Sequence, residues 1–168
     1  MSFLLDSNTL IQGKNEAYGF DICPGFWTFI ENEHQAGRLF SLKPVGEELI
    51  KGKDELAQWA RKRGNSFFLP IDSATAEAMV DIANWVQARD FTDAAKATFF
   101  RSADQYLIAH AKAHRHTVVS HEVLNREQKR NIKIPVVCEA LKIPCVRTYD
   151  WLRSAKARFI LPDSPHTS

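Results

Sequence analysis

Asp6 stands directly behind the apolar run Phe3-Leu4-Leu5, Asp104 follows Ser102-Ala103 at the head of a helical pattern, and Glu122 lies just beyond Thr117-Val118-Val119-Ser120. Glu48, on the helical stretch after Leu39-Phe40-Ser41-Leu42, can join them as a fourth acid. Carboxylates gathered in one place repel each other unless a cation neutralises them, and an all-oxygen donor set suits Mg²⁺ or Mn²⁺. Such a centre can activate water for in-line attack on a phosphodiester and stabilise the leaving oxygen. Taken singly, these residues have plainer uses: Asp104 as a helix-start acid favoured by the macrodipole, Glu48 as a solvated helix residue, Glu122 as a loop charge. Asp6 is harder to dismiss, because it follows a buried strand directly.

For these acids to meet, strand ends must lie side by side. Phe3–Leu5 and Thr117–Ser120 read as short buried strands, Leu39–Leu42 and Pro144-Cys145-Val146 as further short strands, and Phe67-Phe68-Leu69-Pro70 as an edge strand or extended link, since its proline removes a ladder donor. Between them, helical periodicity starts after Asp6, at Pro24 (ending at Gly37), at Pro44 (closed by Gly52), at Asp54-Glu55 (stopping at Gly64), at Ser73, after Thr92, at Pro135 and at Tyr149. Ser102-Ala103-Asp104-Gln105 has the S-x-x-Q form of a capping box. Alternating strands and helices predict an α/β domain: a small parallel sheet flanked by helices, with a ligand site at the strands' carboxyl ends. A single domain over residues 1–160 and a flexible tail over 161–168 are expected.

The 168 residues are 45% hydrophobic, 25% charged and 11% aromatic, which is a globular composition and excludes extensive disorder. Lys and Arg number 22 against 20 Asp and Glu, a net charge of +2, so no global field compels nucleic-acid binding and any basic surface must be local. Three cysteines without a C-x-x-C pattern encode neither a disulfide framework nor a thiolate zinc site, and point to a reducing cytosol. Met1-Ser2-Phe3-Leu4-Leu5 meets Asp6 without a cationic lead, and no run approaches the roughly 18 apolar residues of a membrane span. A cytoplasmic protein without membrane association is expected.

The fragments Leu4-Leu5-Asp6-Ser7-Asn8, Glu47-Glu48-Leu49, Ser102-Ala103-Asp104-Gln105-Tyr106-Leu107-Ile108-Ala109 and Val118-Val119-Ser120-His121-Glu122, in this order, resemble a PIN-like nuclease domain. The resemblance runs from Phe3 to about Arg153 and includes Ile134–Leu141. Gly25-Phe26-Trp27 and Asp54-Glu55-Leu56-Ala57-Gln58-Trp59-Ala60 are similar to a bacterial, VapC-like branch associated with toxin-antitoxin pairs. It implies a three-layer α/β fold and a metal-dependent endoribonuclease whose Mg²⁺ or Mn²⁺ is held by Asp6, Glu48, Asp104 and Glu122. Ser7 or Asn8 would orient the first ligand or a water, with Ser120 and His121 in support. RNA is the implied substrate, an antitoxin protein the implied partner, and a homodimer the implied assembly. The chain departs from the family's pattern in two places. The last acid is usually an aspartate, and the longer Glu122 would then reach the metal through water. Glu47 adjoins Glu48, and the acid-Leu pair selects Glu48. Residues 53–101 exceed a minimal domain of this kind, and no role can be read for them.

Arg126, Lys129, Arg130 and Lys133 follow Glu122 and suit substrate phosphates, or equally a solvated loop. His121 is placed to orient water or contact phosphate. His110 and His114 have the i, i+4 spacing of a zinc pair, with His116 nearby, but no H-E-x-x-H pattern; they read as exposed helix-end histidines. Cys138, Cys145 and the tryptophans Trp27, Trp59, Trp85 and Trp151 read as packing residues. The rival to a nuclease is a non-catalytic PIN-like module binding RNA or a partner protein. A phospho-acceptor domain with Asp6 as receiver lacks its lysine, because the strand ending at Ser120 leads to His121-Glu122.

Overall fold

The structure is a computed structural model that describes residues 2–163. Five strands, β1 (Phe3–Leu5), β2 (Leu39–Leu42), β3 (Phe68–Leu69), β4 (Thr117–Ser120) and β5 (Cys145–Arg147), form one parallel sheet in the order β3-β2-β1-β4-β5. The inner strands are apolar runs: Leu4, Leu5, Leu39, Leu42, Val118 and Val119 are wholly buried, as a sheet covered on both faces requires. The strand preceding Pro70 is β3, at the edge, where a missing ladder donor is harmless.

The helices described are α1 (Ser7–Gln12), α2 (Pro24–Gln35), α3 (Lys43–Ile50), α4 (Glu55–Phe67), α5 (Ser73–Gln87), α6 (Asp93–Arg101), α7 (Asp104–His114), α8 (Ile134–Ala140) and α9 (Thr148–Ser154), with a π-helical turn at Gly13–Ala17 continuing α1. Caps set several of their starts: Asp54 accepts the Ala57 N–H at 3.0 Å, Asp72 the Thr75 N–H at 2.8 Å and Thr92 the Ala95 N–H at 3.2 Å. Gly64, with φ 60°, kinks α4 where the sequence predicts an end, and α9 starts at Thr148, one residue before the expected Tyr149. None of these helices is long and apolar enough to cross a membrane.

Two features set up the site. Gly46 brings α3 onto β3 so closely that a Cβ there would lie 2.9 Å from the Phe68 ring, and Glu48 follows two residues later. The long 53–101 segment, unreadable in sequence, supplies α4 against β2 and β3, and α5 and α6 against α7. Ile82, Val86, Phe91, Ala95 and Phe99 bury their side chains in this layer, which gives α7 a rigid bed. Trp27 and Trp59 meet edge to face at 5.2 Å, and Trp151 is fully buried, so these indoles serve packing.

Candidate active site

The chain leaves β1 for β2 and β3 on one side and returns to β4 and β5 on the other, so the crevice between the ends of β1 and β4 is a topological switch point. Leu5 pairs with Val119, and the Asp6 N–H continues the ladder to the Val119 carbonyl at 3.1 Å. Asp6 is also the N-cap of α1: its Oδ1 accepts the Asn8 N–H at 3.2 Å and the Ser7 hydroxyl at 3.4 Å. Its Oδ2 accepts the Ser120 hydroxyl at 2.9 Å. The expected supporting residues Ser7, Asn8 and Ser120 thus orient a carboxylate only 1% exposed.

The other acids arrive from separate elements. Asp104 opens α7, with its N–H donated to Ser102 Oγ at 3.3 Å. Glu48 reaches from α3, and its Oε1 accepts the Ala103 N–H at 2.8 Å, whereas Glu47 is exposed. The capping box expected at Ser102 and Gln105 does not form. Ser102 Oγ donates to the Phe99 carbonyl, Gln105 turns to the Phe100 carbonyl, and the distant Glu48 takes over at the start of α7. Glu122 donates its N–H to Ser120 Oγ at 3.2 Å, and its Oε2 accepts the Ile134 N–H at 2.7 Å, linking the loop after β4 to α8.

Burial raises the Asp6 pKa from 3.8 to about 7, outweighing the hydrogen bonds from Ser120, Asn8 and Ser7, with the Glu122 charge adding to the rise. Asp104 rises from 3.8 to about 8, first through burial and then through the charges of Asp6, Glu122 and Glu48. Glu122 is also raised by burial, against the Ile134 amide and Lys133. All four acids therefore share one negative field, beside a cavity of ≈ 230 Å³ lined by Ser102, Asp104, Glu122, Asn131 and Lys133. Anionic oxygens this poorly compensated fit a hard divalent cation, which would neutralise them together. Amides hold one oxygen each of Glu48 and Glu122, while Asp6 accepts hydrogen bonds at both of its oxygens.

The basic residues separate. Lys133 borders the cavity, but Arg126 forks onto Glu139 at 2.7 and 2.5 Å, Lys129 pairs with Asp90 at 2.7 Å, and Arg130 is exposed. His121 is half-buried, its ring 6.4 Å from that of Tyr149. The histidines read as exposed correct that expectation in part: His110 is 4% exposed. Among the described residues, Asp72, His110 and His114 are the one group bringing three metal-ligand atoms within 4.8 Å of one another. The D-x-x-T cap at Asp72 and Thr75 was legible, but nothing in the sequence links it to His110.

A family model described as a domain of unknown function (DUF4411) matches residues 3–159. No curated protein matches the sequence. Among solved structures, a chain of VapBC2 from Rickettsia felis, bound to a DNA fragment from their promoter, is similar at 11% identity with a TM-score of 0.51. A chain of DNA-bound VapBC from Salmonella typhimurium is similar at 16% identity, also with a TM-score of 0.51. Each similarity covers 88% of this chain and 98% of the other. These likenesses establish the fold, which is the PIN-like α/β fold that the sequence resemblance implies.

Proposed function

The chain belongs to the family described as a domain of unknown function (DUF4411), and we propose that this member is a metal-dependent endoribonuclease acting as the toxin of a toxin-antitoxin pair. The observation that carries the reading is the convergence of Asp6 and Asp104, two carboxyls raised chiefly by burial, Asp104 also by the charge of Asp6, at a switch point flanked by Glu48 and Glu122. Asp6, Glu48, Asp104 and Glu122 would hold Mg²⁺ or Mn²⁺, Asp6 and Asp104 directly and the two glutamates through their remaining oxygens or through water. The bound ion supplies charge neutralisation and a more acidic attacking water for RNA phosphodiester hydrolysis. Ser120, Ser7 and Asn8 hold Asp6 in one orientation, His121 orients water, and Lys133 meets substrate phosphate at the cavity mouth. Arg126, Lys129 and Arg130 extend the phosphate track, Arg126 and Lys129 by exchanging exposed ion pairs that hold them weakly.

The likeness to chains of VapBC complexes supports an antitoxin as partner, and a homodimer belongs to the same proposal. Three free cysteines support a cytoplasmic location. Residues 1–160 would act as one domain; of the expected tail at 161–168, positions 164–168 lie outside the described residues. The reading is tested by incubating the purified protein with mixed RNA in Mg²⁺ and EDTA arms, alongside Asp6→Asn and Asp104→Asn. Cleavage confined to the Mg²⁺ arm and lost in both folded variants is expected, and full activity in both variants sinks the assignment. A second reading, a non-catalytic module binding RNA or a partner protein, is favoured by the amide bonds that occupy Glu48 and Glu122. It predicts RNA or protein binding without cleavage in either arm.

A further inference from the structure

The last turn of α7 meets the start of α5 in a second cluster of ligand-type side chains. His110 and His114, four residues apart on one helix face, have ring centroids 4.3 Å apart, and His116 lies across them at 5.6 and 6.0 Å. Asp72, the N-cap of α5, places Oδ2 2.8 Å from His114 Nε2. The Thr75 hydroxyl donates to Asp72 Oδ1 at 2.6 Å, and so accepts from His110 Nδ1 at 2.8 Å. That assignment leaves a lone pair on His110 Nε2. It is the arrangement of a metal-binding imidazole, whose far nitrogen is tied to a polar partner that fixes its tautomer. One ligand atom from each of Asp72, His110 and His114 lies within 4.8 Å of the others, and the buried Nδ1 of His116 has no hydrogen-bond partner.

We propose that Asp72, His110 and His114 bind a zinc-class divalent ion, with His116 or a water completing the coordination. Two imidazoles and a carboxylate form a borderline donor set that suits Zn²⁺ better than the hard ions expected at the acid pocket. Zinc bonds of about 2.0–2.2 Å place tetrahedral ligand atoms about 3.3 Å apart, against at most 4.8 Å between the ligand atoms of this cluster. Burial and the neighbouring histidines hold His110 neutral, the form that ligates, while Thr75 keeps Asp72 anionic. The cluster lacks the glutamate general base of an H-E-x-x-H site, so its role is structural. It clips the start of α5 to the end of α7, just before β4, and steadies the helix that carries Asp104.

This inference is independent of the nuclease reading. The full chain, stripped with chelator, is titrated with Zn²⁺ by calorimetry and with Co²⁺ as a visible-absorption probe. One Zn²⁺ per chain, a tetrahedral or five-coordinate Co²⁺ spectrum and a raised melting temperature are expected. Asp72→Asn, which keeps a competent helix cap, and His114→Ala should each weaken Zn²⁺ binding by roughly tenfold or more. Asp104→Asn should leave it unchanged. Zinc binding absent in the wild-type chain, unaffected by Asp72→Asn and His114→Ala, or lost on Asp104→Asn overturns the proposal.

Discussion

Helix α7 begins at Asp104 and ends at His114, about 15 Å further along at about 1.5 Å per residue, and its two ends handle buried polar groups in opposite ways. At the start, acids from four elements share one field, and burial with the charges of Asp6, Glu122 and Glu48 raises Asp104 to about 8. At the end, Asp72 pairs with Thr75 and His114 and Thr75 with His110, and Asp72 falls to about 2, chiefly through the Thr75 hydroxyl and amide. The macrodipole favours acids at one end and imidazoles at the other, so it cannot explain the contrast. What differs is complementarity. Like charges are buried together at the first end and donors meet acceptors at the second, so the first calls for a cation before its carboxylates can all ionise.

The sharpest way to break this contrast is to neutralise the acid end. Asp6→Asn or Asp104→Asn should lower RNA cleavage by about 10³-fold or more, measured as initial rate in Mg²⁺. Without metal, the same changes should stabilise the fold. Both carboxyls have folded pKa values above 3.8, so the folded state binds the extra protons and stability declines as pH rises from about 4 through about 7 to 8. Melting temperatures in EDTA across that window should slope downward for the wild type and flatten in either variant, at about 2–4 °C per kcal/mol. A flat wild-type profile would remove the premise of uncompensated charge. Glu122→Gln keeps an acceptor for the Ile134 amide, and its effect on cleavage should be smaller, roughly 10–100-fold. Ser120→Ala removes a hydrogen bond that lowers the Asp6 pKa, so the acid limb of the pH–rate profile should move to higher pH. Arg126→Ala, breaking an exposed pair with Glu139, should leave the melting temperature nearly unchanged and alter cleavage by less than about threefold.

Much of the scaffold was legible from neighbours in the chain. Phe3-Leu4-Leu5 and Thr117–Ser120 declare buried strands, Pro24 and Thr92 declare helix starts, and Asp6 and Asp104 sit where an α/β sheet gathers its ligands. Those signals are local, because apolar runs and caps depend on residues a few positions apart. The decisive details are not. Glu48 rather than Glu47 faces the site because its carboxylate reaches the Ala103 amide 55 residues away, displacing the capping box that Ser102 and Gln105 advertise. His110 is buried because Thr75, 35 residues earlier, bonds to it, and Lys129 is turned to Asp90, 39 residues back. The order of residues thus decided which elements form and which acids stand at their ends. Only the packed fold decided which side chains meet, because desolvation and pairing across tens of residues arise after the chain has closed on itself.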